Sequence, residues 1–168
     1  MTPSHTDTLC TKCGLCCDGT LFADVELSGR AEATRLEAMG LEIEDGDAGG
    51  ALLVQPCAAL RGRRCSVYAH RPKCCRTFEC KLLQSVRRGA ETVERAGELI
   101  ADALSRIGRV RELLAGLGER DGRLPLRERC AELIAEDAGS DPLAERRRAE
   151  LAAEMAGLEK VVKRTFLG

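Results

Sequence analysis

Residues 10–17 read CTKCGLCC and place four thiols within eight positions. Two cysteines separated by two residues turn their side chains to the same side of a tight loop, so their thiolates can bind one soft cation. Gly14 follows the second cysteine. That position often needs a positive φ, which glycine adopts without steric cost while directing backbone N–H groups at the sulfurs. The stretch therefore predicts a metal-binding knuckle.

The remaining cysteines extend this prediction to the first half of the chain. Ten cysteines are present in all, and five follow the knuckle before residue 81, namely Cys57, Cys65, Cys74, Cys75 and Cys80. Residues 1–7 have neither a basic n-region nor an apolar h-region, and no apolar run approaches the length of a membrane span. We therefore expect a cytoplasmic protein without a membrane segment. In that reducing compartment the thiols indicate metal binding or redox chemistry rather than disulfides.

Positive charge is concentrated near the later cysteines. The formal net charge is −1, yet residues 57–88 contain nine Lys or Arg residues and one acid, Glu79. A basic segment can bind nucleic acid, but one Tyr, three Phe and no Trp in the whole chain leave few platforms for base stacking. We expect these cations to compensate the charge of metal–thiolate centres, and we expect no nucleic-acid partner.

Three regions are predicted along the chain. Residues 1–9 are expected to be a disordered leader, residues 10–88 a cysteine-cluster metal-binding lobe, and residues 90–168 a helical scaffold. The predicted fold class is mainly α. A small irregular lobe, stapled by metal and containing a minor β-hairpin, is expected to pack on a C-terminal antiparallel helical hairpin or three-helix unit.

Within the lobe, the sequence predicts a few short elements. Ser28 is a plausible cap for a short helix that Gly40 ends. Residues 41–44 and 51–55 flank a turn-rich stretch and predict a small hairpin. A short helix is expected to start around the cysteines that follow Pro72 and to run towards Arg88.

The second half of the chain has the periodicity of long helices. Apolar residues recur at alternating three- and four-residue steps. They are Val93, Ala96, Ile100, Ala103, Ile107, Val110, Leu114 and Leu117. A helix with such a stripe needs a partner. We expect the last helix, with its apolar face from Leu151 to Phe166, to fold back over it after a shorter helix near Leu126. A dimer seam or a docking face for a protein partner is the alternative.

Several spaced motifs together resemble one known family. The chain contains C-x2-C-G-x-C-C, P-C, C-x-x-Y and R-P-x-x-C-R-x-F, at residues 10–17, 56–57, 65–68 and 71–78. In these it resembles the YkgJ-like cysteine cluster proteins, a family regarded as zinc or iron chelators. The resemblance spans roughly residues 10–85. Cys74, Cys130 and the helical region lie outside its pattern.

Eight thiols are expected to form two centres of four ligands. Cys16 and Cys17 are adjacent and point in different directions, so each is expected to serve a different centre. The expected ligands are Cys10, Cys13, Cys16, Cys17, Cys57, Cys65, Cys75 and Cys80. A divalent ion held by four thiolates carries a net charge of about −2, which Arg71 and Arg76 are expected to offset. Tyr68 is expected beside them as a cofactor-binding residue.

The sequence leaves the identity of the metal open. C-x2-C-G resembles zinc and rubredoxin-type knuckles, whereas C-x2-C-x2-C with one remote cysteine also fits a four-iron cluster, although the fourth cysteine at x3 spacing is missing. In both cases bound metal contributes on the order of 10 kcal/mol, comparable to the net stability of a domain. We therefore expect the lobe to be unfolded without metal.

Three classes of function fit these features. The first is a metal-binding protein with a structural, electron-transfer or metal-handling role. The second is a redox, sulfur-transfer or methyl-transfer enzyme component, which the absence of a dinucleotide or methyl-donor motif disfavours. The third is a helical adaptor with a structural zinc lobe. Among the remaining residues, Cys130 is expected to be a buried thiol, and His5 and His70 are expected to be solvated. Cys74 is expected to be a bystander, with a spare ligand or a reactive thiol beside Lys73 and Arg76 as the alternatives.

Overall fold

The computed structural model describes residues 4–47, 49–136 and 141–168. Its α-helices are His5–Cys13 (α1), Arg30–Glu37 (α2), Lys73–Thr77 (α3), Lys81–Arg87 (α4), Val93–Gly116 (α5), Leu126–Ala135 (α6) and Pro142–Val162 (α7), with a 3-10 turn at Tyr68–His70 and a π-helical turn at Lys163–Leu167. Its strands are Asp24–Glu26 (β1), Ile43–Asp45 (β2), Ala51–Val54 (β3), Leu60–Arg61 (β4) and Arg64–Cys65 (β5). Helix dominates, so the predicted mainly α fold class is confirmed.

The apolar stripe of α5 lies at the centre of a helical core. Its buried positions are Ala96, Ile100, Ala103, Ile107, Val110 and Leu114. α7 packs along α5, and α6 packs on α7. Side-chain caps define where the two long helices start: Thr92 Oγ1 accepts from Arg95 N at 3.1 Å, and Asp141 Oδ1 accepts from Leu143 N at 3.0 Å. The stripe is therefore covered within the chain, as predicted.

Two helices from the first half of the chain join this helical core. α1 packs on α4 and α5. Leu9 of α1 is 5% exposed, and Leu82 and Leu83 of α4 are each 4% exposed. Residues 5–9, which the sequence assigned to a leader, are thus helical and anchored through Leu9. Residues 1–3 lie outside the described part of the chain.

A small antiparallel sheet forms the second core. β3 is the central strand, with β1 and β2 on its two sides. Val25 and Ile43 both face Leu53 across the ladders, and Leu53 is 1% exposed. The buried members of this sheet core are Leu27, Ala33, Leu36, Leu41, Ala51, Leu53, Cys57 and Ala59. The predicted hairpin exists as β2 and β3, and β1 enlarges it to three strands.

The single helix expected between Pro72 and Arg88 is divided in two. α3 ends at Thr77 and α4 begins at Lys81, with Cys80 as its N-cap. The Cys80 Sγ accepts a hydrogen bond from Leu83 N at 3.5 Å. A side-chain acceptor satisfies one of the free N–H groups at a helix start, so Cys80 begins a new helix instead of continuing the old one.

The cysteines lie where the helical core and the sheet core meet. Cys16 packs against the helical core and Cys17 against the sheet core, so the peptide bond between them joins the two. None of the helices in the described ranges has both the length and the apolar character needed to cross a membrane.

Candidate metal centre

The knuckle forms where α1 ends. Gly14 has φ of 72°, which confirms the predicted positive φ, and the Cys17 N–H donates to its carbonyl oxygen at 3.0 Å. The Leu15 N–H donates to the Cys13 thiol. A Cβ on Gly14 would lie 3.3 Å from the Cα of Arg63, in the β4–β5 turn. Glycine therefore allows both the turn and the close approach of a neighbouring segment.

One cavity of about 830 Å³ collects nearly all the thiols. The cysteines that line it are Cys10, Cys13, Cys16, Cys17, Cys57, Cys65, Cys74, Cys75 and Cys80. All ten cysteines have free thiols. The tenth, Cys130, is 1% exposed in the helical core on α6, away from the cavity, as predicted for a buried thiol.

The nine thiols divide between the two cores. Four of them pack against the helical core and are called the helical thiol group here: Cys10, Cys13, Cys16 and Cys80. Five belong to or pack against the sheet core and are called the sheet thiol group: Cys17, Cys57, Cys65, Cys74 and Cys75. The eight predicted ligands fall four into each group, and Cys74 is the additional member of the second.

The helical thiol group comes from two packed helices. α1 carries Cys10 and Cys13 one turn apart, Cys16 follows in the knuckle, and Cys80 is the N-cap of α4. All four members interact electrostatically: burial raises the pKa of Cys16 most, and the thiols of Cys13, Cys80 and Cys10 raise it further, as does Cys17 of the sheet thiol group. These sulfurs therefore lie close enough to repel one another when ionised.

The sheet thiol group comes from four separate segments. The Cys57 N–H donates to the Cys17 carbonyl oxygen at 2.8 Å, which ties the knuckle to the chain after β3. Cys65 is on β5, where it pairs with Leu60 of β4. Burial raises the pKa of Cys17 to about 12, with further increases from Cys57 and Cys65. The pKa of Cys75, on α3, is raised by its hydrogen bond with Cys74 and by burial, and the thiols of Cys17 and Cys57 raise it further.

Burial raises the pKa values of most of these thiols above their ordinary range, which already lies above neutral pH. It raises the pKa of Cys13 to about 12, although the Leu15 N–H lowers it, and it also raises the pKa values of Cys57 and Cys80. A thiolate is the form that binds metal, so an incoming cation has to displace protons here. Metal binding at this site would therefore release protons and become stronger as the pH rises.

Cys74 and Cys75 form the one adjacent pair that stays together within the sheet thiol group. Their thiols share a hydrogen bond, which lowers the pKa of Cys74 to about 7 and raises that of Cys75. Glu32 of α2 fixes the start of their helix, because its Oε1 accepts from Lys73 N at 2.9 Å. Pro72, just before α3, is buried. These two contacts therefore fix where the helix that carries the pair begins.

Cationic side chains border the cavity. Arg63, Arg64, Arg71 and Arg76 all line it, and within the described residues none of the four forms a salt bridge. The guanidinium of Arg71 lies 3.6 Å above the Tyr68 ring and lowers the pKa of Cys17 against the effect of burial. Arg76 Nη1 donates to the Arg71 carbonyl at 3.0 Å. The predicted Tyr68, Arg71 and Arg76 thus all border the cavity.

Gln55 is a polar residue of the cavity that sequence reasoning missed. It is 2% exposed, lines the cavity, and its Oε1 has no hydrogen-bond partner among the described residues. A buried amide oxygen without a hydrogen-bond partner costs about 1–3 kcal/mol. Its inward position follows from the alternation of Ala51 and Leu53 in β3, which Gln55 continues directly after the strand. That alternation was the available signal. A group that hydrogen bonds with Gln55 would remove the cost.

The donors are gathered but not yet in a coordination shell. Over the described ranges, no three His, Cys, Asp or Glu side chains are close enough to hold a metal ion as they stand. Neither His5 nor His70 lines the cavity, and both are exposed, as predicted. The chemistry of the donor set nevertheless fits a soft cation, because nine sulfurs and bordering cations share one cavity. Binding would require the thiols to draw together.

One sequence family matches the chain. Its model, CxxCxxCC, is described as "Putative zinc- or iron-chelating domain" and matches residues 9–97, just over half of the 168 residues. The chain belongs to the CxxCxxCC family. The resemblance inferred from the motifs is thereby confirmed, and metal binding, with zinc or iron, is supported. No curated protein matches the chain, and no solved structure does.

The CxxCxxCC match has clear limits within the fold. It includes all nine cavity cysteines and the whole sheet core, and it ends inside α5. α6 and α7, which cover the stripe of α5, lie beyond it. The family therefore accounts for the thiols, while the helices that complete the helical core belong to the rest of the chain.

Proposed function

We propose that this protein binds metal at two four-thiolate centres and has a structural and metal-handling role rather than a catalytic one. The first centre would use Cys10, Cys13, Cys16 and Cys80. The second would use Cys17, Cys57, Cys65 and Cys75. The observation that carries this proposal is the division of the cavity thiols, four against the helical core and five against the sheet core.

The two ligand sets favour different metals. Three helical-group thiols at x2 spacing with a remote Cys80 match the three-plus-one arrangement of a four-iron cluster. The sheet-group ligands come from four separate segments, and cross-linking such segments is what structural zinc does in small domains. We therefore propose iron–sulfur at the helical thiol group and zinc at the sheet thiol group. The cluster would supply electron transfer, and the zinc a cross-link.

The surrounding residues support thiolate ligands. Four thiolates around one divalent ion leave a net charge of about −2, which nearby cations stabilise. Arg71 and Arg76 border the sheet thiol group without carboxylate partners in the described chain, and Gln55 lines the same cavity with an amide that carries N–H donors. None of the ten cysteines forms a disulfide, which suits a cytoplasmic location, and we propose this location as well.

Anaerobic purification followed by metal and sulfide analysis tests this proposal. The full-length protein should contain iron with inorganic sulfide and visible absorption, together with about one zinc ion per chain. Cys10→Ser should remove the iron and sulfide, whereas Cys57→Ser should remove the zinc. Cys130→Ser is the matched control, because this buried thiol lies outside the cavity. Protein without either metal, or equal loss in all three variants, would contradict the two-centre proposal.

A further inference from the structure

We propose that Cys74 is an exchange ligand of the sheet thiol group, so that a bound ion can pass between Cys75 and Cys74 and be released more readily than the iron–sulfur cluster proposed for the helical thiol group. This inference rests on the proposed function. It starts from a surplus: the sheet thiol group has five thiols around the cavity, and the helical thiol group has four.

The geometry of the two adjacent cysteine pairs differs. Cys16 and Cys17 pack against opposite cores, so neither can replace the other. Cys74 and Cys75 pack against the same core, line the same cavity and are joined by a hydrogen bond between their thiols. A sulfur that replaces Cys75 as a ligand would therefore come from the neighbouring residue, on the same core and at the same cavity.

The backbone around the second pair is fixed on both sides. Glu32 accepts from the N–H of Lys73, and Thr77 Oγ1 donates to the Lys73 carbonyl at 3.0 Å. Phe78 N donates to the Cys74 carbonyl at 3.0 Å as α3 ends. Exchange between the two thiols can therefore occur through side-chain rotation alone, without unfolding of α3.

The exchange of one thiol ligand for the other needs no oxidant, reductant or other reactant. The Cys74 thiol gives up its proton and forms a bond to the ion, while the bond from the ion to the Cys75 sulfur breaks and the released thiolate takes up a proton. The charge of the centre and the oxidation state of every atom are unchanged. During the step the ion has one weakly held ligand, which is when a thiol of an acceptor molecule can replace it. With zinc as the ion proposed for the sheet thiol group, the cargo is a divalent ion, and the acceptor is a thiol ligand.

Release of Co²⁺ from the full-length protein to a chromophoric chelator tests the inference, because cobalt–thiolate absorption reports the number of sulfur ligands. Cys75→Ser should keep the absorption of a four-sulfur site, with Cys74 as the substitute ligand. Cys74→Ser should also keep it, but should slow release by about tenfold. The double variant should lose the site. Cys130→Ser should behave like the wild type.

Two results would overturn the inference. If Cys75→Ser lost the four-sulfur absorption as completely as Cys57→Ser, Cys74 would not be a substitute ligand. If Cys74→Ser released cobalt at the wild-type rate, it would not assist exchange, and this second result does not depend on how well Cys75→Ser folds. Failure of the proposed function is a separate observation: a wild-type chain that binds no cobalt through Cys17, Cys57 and Cys65 would contradict both.

Discussion

The helical core and the sheet core obtain their stability in different ways. α5 and α7 are 24 and 21 residues long, and their contact is built from leucine, isoleucine, valine and alanine. The sheet core has strands of two to four residues and only a few buried aliphatic side chains. An isolated sheet of this size is marginal in water. The comparison indicates that the helical core can form through apolar burial, whereas the sheet core depends on cross-links between its segments.

Removal of both metals should have the largest effect and should separate the two cores. Bound metal contributes on the order of 10 kcal/mol, so residues 17–80 should unfold while α5 and α7 remain helical. Hydrogen exchange measured by mass spectrometry, together with far-ultraviolet circular dichroism, would show loss of protection in β1–β3 and retention in α5. If the amides of both cores exchanged at one common rate after metal removal, the two would be a single cooperative unit.

Replacing one cysteine of either thiol group by serine should affect the core to which that group belongs and leave the other core protected. Cys57→Ser should expose the sheet core to exchange and leave α5 protected, since its sulfur belongs to that core. Cys10→Ser should weaken the contact of α1 with the helical core while β3 stays protected. Each change should lower the affinity for one ion by at least about 10–100-fold. Competition with a chelator would measure it, and an identical protection pattern in both variants would argue against separate centres.

Truncation of one apolar side chain should affect the helical core alone. Leu158 is 0% exposed in α7, and Leu158→Ala should lower the free energy of unfolding of the helical core by about 2–5 kcal/mol through lost burial and a cavity. Leu143, in the same helix but 56% exposed, gives the matched control, and its Ala variant should lie within about 0.5 kcal/mol of the wild type. Denaturant titration would measure both. A loss of bound zinc in Leu158→Ala would show that the cores are coupled.

The contact between α2 and α3 should give the smallest effect. Burial would raise the pKa of Glu32, but the N–H donors of Ser28 and Lys73 lower it overall. Because the pKa of Glu32 is lower in the folded than in the unfolded state, the ionised carboxylate stabilises the fold at pH above the unfolded-state pKa. This stability is lost as the pH falls through the folded-state pKa. Glu32→Gln should therefore cost about 1 kcal/mol near neutral pH, less in acid.

Glu37→Gln on the same helix is the control for this contact, because Glu37 is exposed and makes no side-chain hydrogen bond to the described residues. Thermal unfolding of the metal-loaded proteins at matched pH would compare the two. A Glu32→Gln variant as stable as Glu37→Gln across the pH range would show that the Lys73 contact does not hold α3 in place.

Sequence reasoning succeeded where the signal was local. The stripe of α5 repeats over eight positions, and the Asp141-Pro142 pair marks the start of α7, so both helices could be predicted from periodicity and capping. The positive φ of Gly14 followed from the knuckle motif. The helix of residues 5–9 could not be predicted in this way, because it depends on Leu9 packing against a helix far away in the sequence.

The candidate site shows the same limit. Its thiols could be recognised from spacing, since a soft cation needs several sulfurs and adjacent cysteines such as Cys16 and Cys17 diverge. The position of Cys74 and the burial of Gln55 could not be predicted from the sequence, because each depends on how distant segments meet around the cavity. The ligand sets remain a proposal, as does the boundary near residue 88 between a cysteine lobe and a helical scaffold.

The sequence by itself determined that this chain is mainly helical, that it belongs to a metal-binding cysteine family, and that its sulfurs are concentrated before residue 81. Those properties are local or compositional, so no long-range contact is needed to infer them. Only the tertiary structure decided which sulfurs share a neighbourhood, because that depends on whether each segment packs against the helices or against the sheet. Each thiol therefore belongs to the helical or the sheet thiol group according to the apolar core against which it packs.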